Sequence, residues 1–346
     1  MKKNLKNSNR ANLVLLKVKT RQQGFTLVEL MISLSIGLVV IAGVLSVFVG
    51  MQRTVKETSS YGELQENGRF AISLLTDDLL RQNFWGDYTG SLNFSSLDAV
   101  PVIAALDNCV GGGVNNGTYP LAVGTFRTLW GETSTAVGAT NMTCITDAAP
   151  DSDVIQLKRV IAFPSDPADP LAVPLANNFS YFVANSDHGA LYKLPLVPAA
   201  VVPIINNSQV WQYQHHIYYV RAGIPVLMKW RLTTQMVNEP MVDGIERIYF
   251  MYGVSNVIDP TVAGYGVINA YVSAANMTAA LWNNTNSRIL AVKIYVLARS
   301  ILPDNNYENE NTYILGDQTP YIPADNFRRL LLSSTVTLFN SGDTWL

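Results

Sequence analysis

From Phe25 to Met51 the sequence FTLVELMISLSIGLVVIAGVLSVFVGM carries one charged side chain, Glu29. As a helix it is long enough to cross a bilayer core of about 30 Å, and it is the only membrane-length segment in the chain. After Met51 the pattern turns amphipathic. In GELQENGRFAISLLTDDLLRQNFWG, Phe70, Leu74, Leu75 and Leu79 recur at helical spacing, which predicts a helix to about residue 82 with that face on a core. Further on the period drops to two. Ile248, Phe250 and Tyr252 share one face of a predicted strand, and Leu290, Val292, Ile294, Val296 and Ala298 one face of another. Residues 217–220 and 226–230 predict a strand pair joined through Ala222-Gly223-Ile224-Pro225. The pattern predicts an α+β chain: a long, partly transmembrane N-terminal helix (25–51 apolar, 52–82 amphipathic) and a β-rich globular head over 83–346. A Gly, Asn and Thr-rich region at about 108–149 interrupts the head and reads as an insertion or exposed loop that can reach a partner.

Charge sharpens the topology. Residues 1–24 hold seven basic side chains (Lys2, Lys3, Lys6, Arg10, Lys17, Lys19, Arg21) and no acid, so the net charge of −2 conceals a basic leader before an acidic body. By the positive-inside rule the leader stays cytoplasmic and everything after Met51 lies outside the inner membrane. Nucleic acid is not an expected partner, because phosphate contacts need clustered Lys and Arg. Charged residues make up 14% of the chain, against about 25% in soluble domains, which suits an exported surface protein.

Little in the chain points to catalysis. The three histidines are His188 and the adjacent His215-His216, with no nucleophile elbow to match them. Adjacent histidines on a strand point to opposite faces, which disfavours a shared metal site. Gly111-Gly112-Gly113 lacks the Gly-Lys-Ser/Thr of a phosphate loop, and Gly264-Tyr265-Gly266 is too short for a dinucleotide fingerprint; both read as turns. Asp304-Asn305-Asn306 lacks the spacing of a calcium loop and reads as solvated loop. No enzyme activity, cofactor or metal is expected. In an oxidising compartment Cys109 and Cys144 are expected to pair and close a loop of about 36 residues, two free thiols being the other reading.

Glu29 separates this segment from a plain signal-anchor, because a carboxylate inside a membrane span costs a few kcal/mol and by default marks a functional site. Gly24-Phe25-Thr26-Leu27-Val28-Glu29-Leu30 resembles the processing motif of type IV prepilins and pseudopilins. The resemblance implies cleavage after Gly24 by a prepilin peptidase, N-methylation of the new first residue Phe25, and pairing of Glu29 with the terminal amine of a neighbouring subunit. Residues 1–24 are then a cleaved leader, longer than the common pattern and containing Leu13-Val14-Leu15-Leu16.

Further stretches resemble the PilW family of minor pilins, in order along the chain. They are Asn67-Gly68-Arg69-Phe70-Ala71, Trp85-Gly86, Val242-Asp243-Gly244-Ile245-Glu246, Tyr252-Gly253-Val254, residues 291–300, Arg328-Arg329 and Thr335-Val336-Thr337-Leu338-Phe339-Asn340. This resemblance implies a subunit that primes pilus assembly with other minor pilins, the major pilin, the inner-membrane assembly platform and a large tip adhesin, and that supports piliation and twitching motility, adhesion or DNA uptake. It implies a head held in the periplasm and later placed at or near the pilus tip. Two other readings are a pseudopilin of a type II secretion system and a signal-anchored periplasmic binding protein or enzyme; the latter predicts no cleavage at Gly24 and tolerance of Glu29 replacement.

Overall fold

The computed structural model describes residues 24–104, 108–165, 175–195 and 204–340; the leader, apart from Gly24, lies outside them. The chain divides into two units that part between Glu57 and Thr58. The first unit holds the apolar part of helix α1 (Leu27–Leu80), whose large side chains from Leu27 to Met51 are exposed. Among the described residues α1 is the one helix long and apolar enough to cross a membrane.

The second unit contains the rest of α1 and two antiparallel sheets. The first sheet runs β1 (Leu129–Ser134), β2 (Ser152–Val160), β5 (Gln209–Val220), β3 (Ser180–Ala184) and β4 (Gly189–Lys193). β6 (Val226–Leu232) pairs with the C-terminal half of β5 and with β7 (Met236–Asp243). The second sheet is ordered β11 (Arg329–Thr337), β10 (Arg288–Arg299), β8 (Ile245–Ser255), β9 (Ala270–Ser273). The long-helix, strand-rich architecture is the one the pattern predicts. β5 and β6 pair as expected, and the alternating residues of β8 and β10 from Ile248 to Tyr252 and from Val292 to Ala298 are buried.

The helix meets both sheets on the expected side except at Phe70: Leu75 and Leu79 are buried and Leu74 packs against the core. Leu64, Gly68, Ala71, Leu75, Asp78, Leu79 and Gln82 are buried, whereas Phe70 is 54% exposed. Ahead of Leu75 the buried stripe runs through the small residues Gly68 and Ala71 rather than through Phe70. A Cβ on Gly68 would lie 2.5 Å from Leu332 Cδ1 and 3.6 Å from the Cβ of Ala298, so β10 and β11 approach where a larger side chain would hold them off. Burying Leu75 and Leu79 is worth roughly 1.5–3 kcal/mol each.

The region at 108–149 is mostly irregular, but it is not an exposed arm. It contains β1, and Cys109, Asn116, Thr118, Tyr119, Phe126, Trp130, Met142 and Ile145 are buried. Its side chains find partners on the face of the first sheet opposite the helix: Tyr119 Oη to Ser180 Oγ (2.6 Å), and Tyr213 Oη donating to Thr118 O (2.5 Å). With the helix on one face and this segment on the other, all nine residues of β2 are buried. A disulfide joins Cys109 to Cys144, with Cα atoms 5.0 Å apart, and closes the segment on itself.

The two sheets meet at the start of β2. Ser152 Oγ accepts from Ile248 N (3.1 Å), and Asp153 Oδ2 accepts from Phe250 N (2.7 Å) while its Oδ1 takes the Thr133 hydroxyl (2.6 Å). Burial pushes the Asp153 carboxyl up to about 8, against the two hydrogen bonds that favour its ionised form. A folded-state value raised above the unfolded one, about 3.9, means that the protonated form is favoured on folding. That stabilisation is complete below the unfolded value and is lost as pH rises through about 8. Asp153→Asn presents the same shape as the protonated acid, its amide able to donate to the Thr133 hydroxyl while its carbonyl accepts from Phe250. The variant should fold and should flatten the decline in stability between about pH 4 and pH 8; thermal unfolding as a function of pH checks this, and an unchanged slope would exclude Asp153 as its source.

Candidate functional site

Gly24, Phe25 and Thr26 are non-helical, and α1 begins at Leu27. The first turn of a helix leaves N–H groups without intrahelical partners, and here residues of the same chain take them up. Thr26 donates from its backbone N and from Oγ1 to Glu29 Oε2, both at 3.1 Å, while Glu29 N donates to Thr26 Oγ1 at 3.2 Å. This is a reciprocal capping box, and a carboxylate in the first turn also suits the helix dipole. The Thr-x-x-Glu spacing was present in the sequence but was absorbed into the processing motif, so the capping role of Thr26 was missed.

Phe25 is 83% exposed, and nothing lies within 4 Å of the position a Cβ would take on Gly24. The peptide between them is therefore open to a protease. Glu29 stands one turn beyond, within the apolar segment and near where cleavage would create an amine.

In the head, Asp78 is the functional-looking group that the sequence did not reveal. It projects from the helix onto the first sheet, where Arg159 Nε (2.8 Å), His216 Nδ1 and Tyr218 Oη (2.9 Å) converge on its two oxygens. All four side chains are buried or nearly so. Burial works to raise the Asp78 carboxyl, but His216 and Arg159 outweigh it and hold the group well below the usual carboxylate range. Burial lowers His216 despite Asp78 beside it, which leaves a neutral imidazole donating to a carboxylate whose counter-charge is the guanidinium. His215, next in the strand, points to the other face and has Nδ1 3.3 Å from Thr118 Oγ1. The cluster fastens the helix to the sheet by charge as well as by apolar contact.

Several stretches that carried the resemblance converge in space. Arg329, with a fully buried side chain, pairs with Glu246 (Nη2 to Oε1, 2.9 Å) and with Asp325 (Nη2 to Oδ2, 2.7 Å), and Arg299 approaches the same Glu246 at 3.5 Å. Gly244, where the chain passes from the first sheet to the second, has φ +74° and carries its carbonyl to Arg299 N; a Cβ there would lie 2.9 Å from Arg299 O. Trp85 stacks on Tyr213 and meets Phe182 edge-on. At the end of the helix, Asn83 Nδ2 donates to Asn340 O (2.7 Å) and Asn340 Nδ2 to Gln82 O (3.1 Å), tying the last described residues of the chain to the helix terminus.

Residues 19–45 match the family model described as the prokaryotic N-terminal methylation motif. That motif implies processing by prepilin peptidase and assembly with other pilins, and with the apolar helix it fits membrane anchoring and incorporation into a pilus. The N-terminal segment is thus of the pilin type. Residues 217–340, spanning β6 to β11 and the last four residues of β5, match the model described as type IV pilus-assembly protein W, and the two matches together support a type IV pilus minor pilin of the PilW family. Both families are structural pilins rather than enzymes. Among solved structures, a type IV-like pilin from Thermus thermophilus is similar at 10% identity with a TM-score of 0.38, over 81% of this chain and 97% of that one, a likeness too slight to bear on the fold. No curated protein matches the chain.

Proposed function

We propose that this chain is a minor pilin that takes part in priming type IV pilus assembly, in a tip complex with other minor pilins and a tip adhesin, with its head periplasmic before assembly. The observation that carries the reading is the placement of Gly24, Phe25 and Glu29 around the start of a bilayer-length helix, in a chain whose head matches the assembly-protein model. Cleavage after Gly24 would place a new amine on Phe25, a cation at the edge of an apolar helix. Charges in such surroundings are rarely left unpaired, and Glu29 of an adjacent subunit is the available counter-charge. Such a pair rewards docking and fixes the axial register of one helix against the next, because either charge left unpaired is costly.

Within one chain the Glu29 carboxylate is held by Thr26, so docking exchanges a local cap for an intersubunit pair. A head of this size is hard to repeat along a tightly packed filament, which favours a position at or near the tip. Glu29→Ala should leave leader removal largely intact and strongly reduce piliation and co-purification with other pilins. Pilus counts and pull-downs from the variant test this; normal piliation would sink the pairing role. Deletion of the chain should abolish or sharply reduce surface pili, whereas a secretion defect with piliation intact would reassign it to a type II machine.

A further inference from the structure

β2 buries a lysine that pairs with no carboxylate among the described residues. Lys158 is completely buried; its Nζ donates to Arg127 O at 2.8 Å, lies 3.4 Å from Asn116 Oδ1 and sits 4.3 Å above the Phe126 ring. Burial, with the Arg127 guanidinium nearby, pushes the amine well below its ordinary range. A buried ammonium without a counter-ion is expensive, so the surroundings favour the neutral amine, which carries a nucleophilic lone pair.

What surrounds it is equally specific. Asn116 is 1% exposed, its carbonyl oxygen accepts from Gln156 Nε2 at 2.7 Å, and its Nδ2 donates to Gly112 O at 3.0 Å. Across the strands Lys158 faces His215, which is fully buried, and whose Nε2 has no hydrogen-bond partner among the described residues. In the tautomer that donates Nδ1–H to Thr118 Oγ1, Nε2 holds a free lone pair. Burial keeps this imidazole neutral. An amine, an amide carbonyl polarised by a fixed donor, and a base with a free lone pair thus lie buried on one face of the sheet.

We infer that Lys158 and Asn116 form an intramolecular isopeptide bond, covalently tying the 108–128 segment to the C-terminal part of β2. The Nζ lone pair attacks Asn116 Cγ, and the developing oxyanion is stabilised by Gln156 Nε2–H. The proton shed by Nζ passes by way of His215 Nε2 to Asn116 Nδ2, the Cγ–Nδ2 bond breaks, and ammonia leaves. Nothing is oxidised or reduced, and no other reactant is needed. The product replaces a buried amine with a neutral amide, removing the desolvation problem that Lys158 otherwise poses. Together with the disulfide at Cys109 and Cys144, it would fix this face of the head against mechanical load. The inference does not depend on where the subunit sits in a filament.

The test is the intact mass of the full chain purified from membranes without reduction. The expected mass is that of the chain with its N-terminus as found in the same sample (N-methylated Phe25 once the leader is removed), the disulfide closed and one ammonia lost, and a peptide map should contain a branched peptide joining the segments around Asn116 and Lys158. Lys158→Met and Asn116→Ala should each abolish both the deficit and the branched peptide. A wild-type mass with no ammonia deficit overturns the proposal. So does a deficit that maps to a cyclised imide at Asn116-Gly117 with Lys158 in a linear peptide, since that product also loses ammonia without forming a cross-link.

Discussion

Replacing Asp78 by alanine is expected to destabilise the head by roughly 3–5 kcal/mol, the usual consequence of removing one partner of a buried ion pair. The loss has three parts. The Arg159 guanidinium, with 7% of its side chain exposed, is left without its carboxylate; His216 and Tyr218 lose their acceptor; and the helix loses its polar anchor on the first sheet. The pH dependence has a definite sign. Asp78 is held below its unfolded value, so its contribution is complete above about pH 4 and fades as pH falls through the unfolded carboxylate range. The gap between wild type and Asp78→Ala in denaturant unfolding should therefore be widest near neutrality and narrow in acid. A gap that stays constant with pH would mean that Asp78 acts through shape alone.

Gly86→Ala should be comparably damaging, at roughly 2–5 kcal/mol, as the sum of a left-handed backbone penalty and overpacking. Gly86 sits at φ +64°, and an added Cβ would lie 2.4 Å from the ring of Trp211. Trp211 is 2% exposed, so its ring can yield only by displacing the core around it. The expected result is a lowered melting temperature and less protein in the membrane, while leader cleavage, which occurs at the other end of α1, proceeds normally. Wild-type stability in Gly86→Ala would show that the Trp85-Gly86 turn relaxes far more easily than its packing implies.

The sequence was most informative where one face of an element decides its pattern. The helix declared itself by its apolar run and then by helical spacing; β8 and β10 did so by strict alternation, and the turn at Gly223 located the β5–β6 pair. Phe70 lies outside the contact, which Gly68 and Ala71 make together with Leu75 and Leu79, because small residues permit a close approach that apolar size alone does not signal. β2 was illegible for another reason. SDVIQLKRV contains Asp, Gln, Lys and Arg, a composition of exposed segments, yet every position is buried, because its polar groups are met by residues remote in sequence: Asp78, Asn116, Arg127 and Thr133. The same blindness made 108–149 look like an exposed insertion. Its Gly, Asn and Thr content reflects tight turns and side-chain hydrogen bonds over a sheet rather than solvation.

At the candidate site the reverse holds. Gly24, Phe25 and Glu29 fall in a short contiguous motif, and one carboxylate in an apolar run is conspicuous in the sequence itself. Only the capping contact between Thr26 and Glu29 needed coordinates.

The measurement that bears most directly on this account is mass spectrometry of the N-terminus of the chain from membranes of cells with and without prepilin peptidase. The account predicts a chain beginning at N-methylated Phe25 when the peptidase is present and an intact leader when it is absent. An intact leader in both strains would contradict it, leaving Phe25 to Met51 as a simple membrane anchor and Glu29 without an amine to meet.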